Sequence, residues 1–184
     1  MTQTPLASLI ETARQFYPSG IAPADERYTE TPEYLRARDA WRRALRDSES
    51  WPRVLSLLRE RVGPGHALRD LTVPYMHPSR RVAVVCEGTP FMAVGCVSVL
   101  APVFFCYGLE GPGQEPEVRL NAWPREGVHA MSIIARTLHE VFEFEPLSLE
   151  TALTIIPGVE LERSPFKGPT LLDALISNDL NHYV

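Results

Sequence analysis

A run of 18 residues without a charged side chain, FMAVGCVSVLAPVFFCYG at positions 91–108, constrains the possible folds of this chain more than any other segment. Its length approaches the roughly 20 residues that a transmembrane helix needs. However, Pro102 interrupts it, and its small residues and the lack of a flanking basic cluster make it a poor spanning helix. Its valines and phenylalanines, bounded by turn residues, instead predict two buried β-strands that meet near Ala101.

Apolar segments on both sides of this run have the length and composition of further strands. The five predicted strands occupy residues 68–73, 81–87, 91–100, 103–109 and 117–122. The connections between them are too short to hold crossover helices, so the strands are expected to pair as an antiparallel meander.

Helical spacing of apolar residues flanks this strand region. The longest C-terminal stripe predicts a helix at residues 128–142, and Gly63 ends the last N-terminal helix. The residues expected to cap helix starts are Thr4, Thr31, Ser148 and Thr170. We therefore predict one α+β domain over residues 1–184, with N-terminal and C-terminal helices packed on an antiparallel sheet of about five strands.

Charge is distributed unevenly along the chain, whose formal net charge is -5. Residues 33–61 hold eight arginines against five acidic residues, whereas residues 110–184 hold twelve acidic residues against five basic ones. The arginines alternate with acids, which favours a solvated helix with ion pairs over a surface that neutralises phosphates. We therefore expect no nucleic-acid partner.

The N-terminus and the cysteine count bear on localisation. The sequence MTQTPLASLIETARQ lacks the basic start, long apolar stretch and cleavage site of a secretory signal. Three cysteines, an odd number within apolar segments, favour a reducing compartment over a disulfide framework. A cytoplasmic protein without membrane attachment is expected.

Cys86, Cys96 and Cys106 recur every ten residues. A tight hairpin around Ala101 would place Cys96 opposite Cys106, close enough for a disulfide or for two soft metal ligands. No C-x-x-C or H-x-H spacing accompanies them, so buried thiols are the simpler interpretation. We expect neither a metal nor another cofactor.

A catalytic set is not evident in the sequence. There is no G-x-S-x-G element, and the glycines at 108–113 lack the lysine and the helix start of a phosphate-binding loop. A non-catalytic protein is therefore expected. Two alternatives stay open: a hydrolase that uses Cys96 or Cys106 with His129 or His139, and a regulatory subunit whose apolar run completes a sheet with another chain. The oligomeric state is not predicted.

Four segments carry a resemblance to a known class of proteins: YPSG at 17–20, VGCVSVLAPV at 94–103, IPGV at 156–159 and TLLDALISND at 170–179. In these segments the chain resembles uncharacterised bacterial immunity-like proteins of contact-dependent or polymorphic toxin systems, of the swarm-inhibition type. The resemblance implies a protein that binds and neutralises one cognate toxin domain without catalysis.

The acidic C-terminal half gives this expectation a physical basis. A cationic toxin, such as a nuclease domain, presents basic groups that clustered carboxylates attract and pair with. The residues expected to form the partner-binding surface are Glu140, Glu143, Glu145, Glu160, Glu162, Asp173 and Asp179.

Overall fold

The structure is a computed structural model that describes residues 5–111, 116–162 and 167–181. Its helices are α1 (Leu6–Arg14), a 3₁₀ helix (Glu26–Glu30), α2 (Pro32–Arg46), α3 (Ser50–Val62), α4 (Arg125–Phe142), α5 (Leu149–Ala152) and α6 (Leu171–Leu175). Its strands are β1 (His66–Asp70), β2 (Ser79–Cys86), β3 (Phe91–Ser98), β4 (Val103–Glu110), β5 (Glu117–Arg119) and β6 (Glu145–Pro146).

The strands form one sheet with the order β1-β2-β3-β4-β5, and every pair in this path is antiparallel. This confirms the predicted α+β fold with a meander. A short strand missing from the prediction, β6, pairs in parallel with the start of β4, so that Val103 lies opposite Glu145. A two-residue strand has no periodicity, which is why no sequence pattern indicates it.

Helices cover both faces of the sheet, because alternate side chains of the central strands point to opposite sides. On β3, Ala93 and Val97 face α3 and α4, whereas Val94 and Cys96 face α1, α5 and α6. Since both faces are buried, β3 carries no charged side chain and β4 carries none before Glu110, its last residue. The uncharged run at 91–108 thus forms β3, a turn and β4. Within the described residues, no helix has the length and apolarity needed to cross a membrane.

Glycines allow α4 to lie close against the sheet. A Cβ atom on Gly95 would lie 2.2 Å from Ile134 Cγ2, and one on Gly127 would lie 2.3 Å from the Phe91 ring. Gly108 leaves room for the same ring. The helix is therefore held at a distance that larger residues would not permit.

Most expected helix caps are confirmed. The side chains of Thr31, Ser148 and Thr170 accept hydrogen bonds from the backbone at the starts of α2, α5 and α6. Thr4 and residues 112–115, between the fourth and fifth predicted strands, lie outside the described residues.

Several strand boundaries and one register differ from the predictions. Strand β2 begins two residues earlier than expected, at Ser79, and β3 ends two residues earlier, at Ser98. Strand β1 lies two to three residues earlier than expected, and β5 stops at Arg119. Ala122, the last residue of the fifth predicted strand, adopts a positive φ of 58°, which is incompatible with a strand.

Cys96 lies opposite Phe105, not Cys106, since the β3–β4 turn is centred half a residue earlier. The two thiols consequently point to opposite faces of the sheet and form neither a disulfide nor a shared metal site.

Candidate binding cleft

The seven predicted partner-binding carboxylates do not form one surface. Glu140, Glu143 and Glu145 lie together at the end of α4 and the start of β6. Glu140 forms an ion pair with Arg61 on α3 at 2.7 Å, so it is partly neutralised within the chain. Glu143 is exposed and ends α4 in the left-handed conformation.

Asp173 has to be removed from the predicted surface. Its carboxyl is 2% exposed and accepts hydrogen bonds from the backbone and hydroxyl of Thr170 at the start of α6. The acidic residue at this position completes a capping box and is a structural group. Of the others, Glu160 and Glu162 are exposed, whereas Asp179 is half-buried.

The thiols have the properties of core residues. Cys86 and Cys96 are buried, and Cys106 lies among the apolar residues beneath α4. Burial raises the pKa of Cys96 to about 11 and raises that of Cys106 further. A catalytic thiol needs a lowered pKa and contact with solvent, so these environments oppose the cysteine-hydrolase alternative. No group of three or more potential metal ligands occurs within the described ranges.

An open cleft of about 210 Å³ lies where α2, the β1–β2 connection and the described residues at 161–162 and 173–178 meet. Aromatic side chains dominate its wall. Its lining residues are Phe16, Tyr17, Pro23, Tyr28, Tyr34, Ala37, Trp41, Tyr75, Met76, His77, Pro78, Leu100, Leu161, Glu162, Asp173 and Asn178. We call it the aromatic cleft.

Helical periodicity explains how α2 supplies one wall of the aromatic cleft. Tyr34, Ala37 and Trp41 are three and four residues apart and therefore share one face of the helix. Trp41 is anchored because its indole Nε1 donates to the carbonyl of His77 at 2.9 Å. The Trp41 ring lies 6.0 Å from that of Tyr75, and Tyr28 meets Tyr34 edge-on at 5.6 Å.

Two tyrosines of the cleft, Tyr17 and Tyr28, are held as neutral rings. The hydroxyl of Tyr17 donates to the carbonyl of Ala174 at 2.7 Å, which ties α1 to α6. Burial raises the pKa of Tyr17 above its ordinary value, with further contributions from Tyr28 and Asp173. Burial likewise raises the pKa of Tyr28. None of these phenols is prepared to act as a base near neutral pH.

Tyr75 stands out because its backbone is strained and its side chain is exposed. Its φ of 67° lies in the left-handed region, which costs a residue other than glycine about 1–3 kcal/mol. Its side chain nevertheless remains 46% exposed, and the adjacent Met76 is 53% exposed. The connection thus presents two large apolar side chains to solvent at the edge of the cleft.

Arg38 reaches over the same rings from α2. Its Cζ lies 5.2 Å from the centre of the Tyr75 ring and 5.9 Å from that of Tyr34, within the range of cation–π attraction. Its neighbours on the helix form the expected ion pairs, Arg36 with Glu33 and Arg42 with Asp39. Arg38 makes no ion pair with any described residue.

Sequence reasoning did not identify this cleft. Tyr34 and Trp41 belong to a stripe that predicts contact with the core, and only the structure shows that the stripe faces an open cleft. One compositional signal was present: three of the chain's six tyrosines, together with Phe16 and Trp41, occur within residues 16–41. The contribution of Tyr75 depends on tertiary structure and leaves no such signal.

Searches of protein-family models, of curated proteins and of solved structures find no match to this chain.

Proposed function

We propose that the protein is an immunity-like protein that binds and neutralises a cognate toxin domain without catalysis, and that the aromatic cleft is its contact site. The observation that carries this proposal is the cleft itself, an open, aromatic-walled depression with exposed Tyr75 and Met76 at its edge. Interface cores are enriched in aromatic residues, methionine and arginine, and binding energy concentrates in tyrosine, tryptophan and arginine.

The strain at Tyr75 supports the same conclusion. A left-handed backbone that holds a large side chain in solvent is unfavourable for the isolated chain. Such conformations cluster at ligand-binding and active sites, where the surrounding structure enforces them. A partner that buries the ring would recover the free energy of its exposed apolar surface.

The partner is expected to be basic. Glu162 lies at the cleft, and Glu140, Glu143 and Glu145 form a second acidic group at the end of α4. Both groups would attract a cationic toxin domain, such as a nuclease.

Calorimetric titration with the inactivated product of the adjacent upstream gene, as the candidate toxin, tests the proposal. Binding should be tight and weaker at high salt. Tyr75→Gly removes the ring and relieves the left-handed strain, so the variant should fold and yet bind about 30-fold more weakly, the ~2 kcal/mol of a hot-spot residue. The matched control is Val128→Ala, which truncates an equally exposed apolar residue on α4 and should bind normally.

Charge reversal separates the two acidic groups. Glu162→Lys should slow association more than the combined change of Glu140, Glu143 and Glu145 to lysine, because only Glu162 lies at the cleft. Normal binding by Tyr75→Gly would refute the cleft as the contact site, and no heat at either salt concentration would refute this toxin as the partner.

A further inference from the structure

We infer that the aromatic cleft recognises an arginine side chain of the partner, and that Arg38 is the intramolecular group which that arginine replaces. This inference rests on the proposed function and specifies the chemistry of its contact site. Four features of the described residues support it: the ring faces, the charge of the lining, the size of the cleft and the bonding of Arg38.

The rings already hold a guanidinium. The face of an aromatic ring carries partial negative charge and attracts a cation within about 6 Å of its centre. The Arg38 guanidinium occupies such positions over Tyr75 and Tyr34 at once. The two rings are therefore arranged so that one planar cation contacts both.

The charge of the lining favours a cation. Among the described lining residues there are two carboxyl groups, those of Glu162 and Asp173, and no lysine or arginine. Glu162 is exposed and can approach an incoming guanidinium, which donates hydrogen bonds as a planar fork. An anionic or purely apolar ligand would gain nothing from this carboxylate.

The size of the cleft limits the ligand to a side chain. Pockets that bury drug-sized ligands have volumes of roughly 300–1,000 Å³. The aromatic cleft, at about 210 Å³, lies below that range. It also lies open to solvent, as a site for a residue on the surface of another protein must.

Arg38 is held weakly enough to be displaced. Its neighbours Arg36 and Arg42 are each paired with a carboxylate on the same helix, whereas Arg38 has the rings but no ion pair among the described residues. An exposed cation–π contact of this kind changes an equilibrium by about two- to five-fold. A partner arginine that also reaches Glu162 would have the additional charge pair and would replace it.

The inference is tested with blocked amino acids and requires no toxin. N-acetyl-arginine methylamide should shift the NMR signals of the Tyr75 ring and the Trp41 indole, at millimolar concentrations. The citrulline analogue has the same shape without the charge and should not shift these signals. The lysine analogue should bind more weakly, since its ammonium cannot stack on two rings.

The Arg38→Gln variant tests whether the blocked arginine displaces Arg38 from the rings or binds together with it. Because this variant removes the internal competitor, it should bind the blocked arginine about two- to five-fold more tightly than the unaltered protein. Arg42→Gln, on the same helix but paired with Asp39, is the control and should bind unchanged. In Tyr75→Gly, the blocked arginine should no longer shift the NMR signal of the Trp41 indole.

Two results would overturn the inference: equal binding of arginine and citrulline analogues, or weaker binding by Arg38→Gln. Failure of the inference is distinguishable from failure of the proposed function. Toxin binding that depends on Tyr75, without arginine binding, refutes the inference and leaves the function. Arginine binding enhanced by Arg38→Gln, without toxin binding, supports the inference and refutes that function.

Discussion

Replacing Arg81 by methionine should leave the protein as stable as before or make it more stable. Arg81 lies on β2, its side chain is fully buried, and it faces the C-terminal residues that cover the sheet. Its Nη2 donates to the Tyr107 hydroxyl and to the carbonyl of Leu180, whereas Nε and Nη1 have no hydrogen-bond partner among the residues that the structure describes. The guanidinium is thus desolvated with only part of its hydrogen bonding replaced.

The opposing contributions are of similar size. Two hydrogen bonds from a charged donor contribute about 1.5–3 kcal/mol each, and two unsatisfied buried nitrogens cost about 1–3 kcal/mol each or more when charged. The Tyr107 hydroxyl still donates to Leu180 in the variant, so no acceptor is orphaned. With the apolar surface of methionine added, we expect a change between zero and about 2 kcal/mol of added stability.

Urea unfolding measures this difference, with stability taken from the midpoint at an unchanged m-value. Arg81→Lys is the control: it keeps a buried charge but lacks the fork that reaches both acceptors, so it should be the least stable of the three proteins. A loss of about 3–5 kcal/mol in Arg81→Met, as when a satisfied buried pair is broken, would refute the reasoning.

Two further outcomes follow from the core. Gly95→Ala should destabilise the protein by about 1–3 kcal/mol, because its methyl group would overlap Ile134. The double variant with Ile134→Ala should lose less stability than the sum of the two single changes, and additive losses would contradict the packing. All three thiols should resist a thiol-labelling reagent in the native protein at pH 8 and react when the protein unfolds, because burial raises their pKa values and shields them. Rapid labelling of any one of them in the native protein would contradict this.

Local and periodic features of the fold were predictable from sequence. The caps at Thr31 and Thr170, and the uncharged run that forms β3 and β4, each depend on residues that are neighbours in the chain. The Cys96–Cys106 pairing failed because the register depends on the conformation of one turn: the Ser98 hydroxyl accepts from the backbone of Leu100 and Ala101 and shifts the turn centre. A shift of this size reverses the face of every partner.

The site was less predictable than the fold. An acidic residue at position 173 indicates a surface on charge alone, yet the Thr-x-x-Asp spacing equally indicates a capping box, which the structure shows. The aromatic cleft joins residues from four separate regions of the chain, so no single stretch of sequence contains it.

This division of the cleft sets a time at which it can first exist during synthesis. One wall comes from residues 16–78 and the other includes Leu161, Glu162, Asp173 and Asn178, so roughly 80 residues are made between the two. At about 5–20 residues per second, that interval lasts roughly 4–16 s. During this interval the nascent chain exposes Trp41 and its neighbouring tyrosines, because the later wall has not yet been made. They form an apolar surface to which chaperones and other chains can bind. A newly made molecule therefore acquires its partner site only after that interval, when the later wall has emerged and docked.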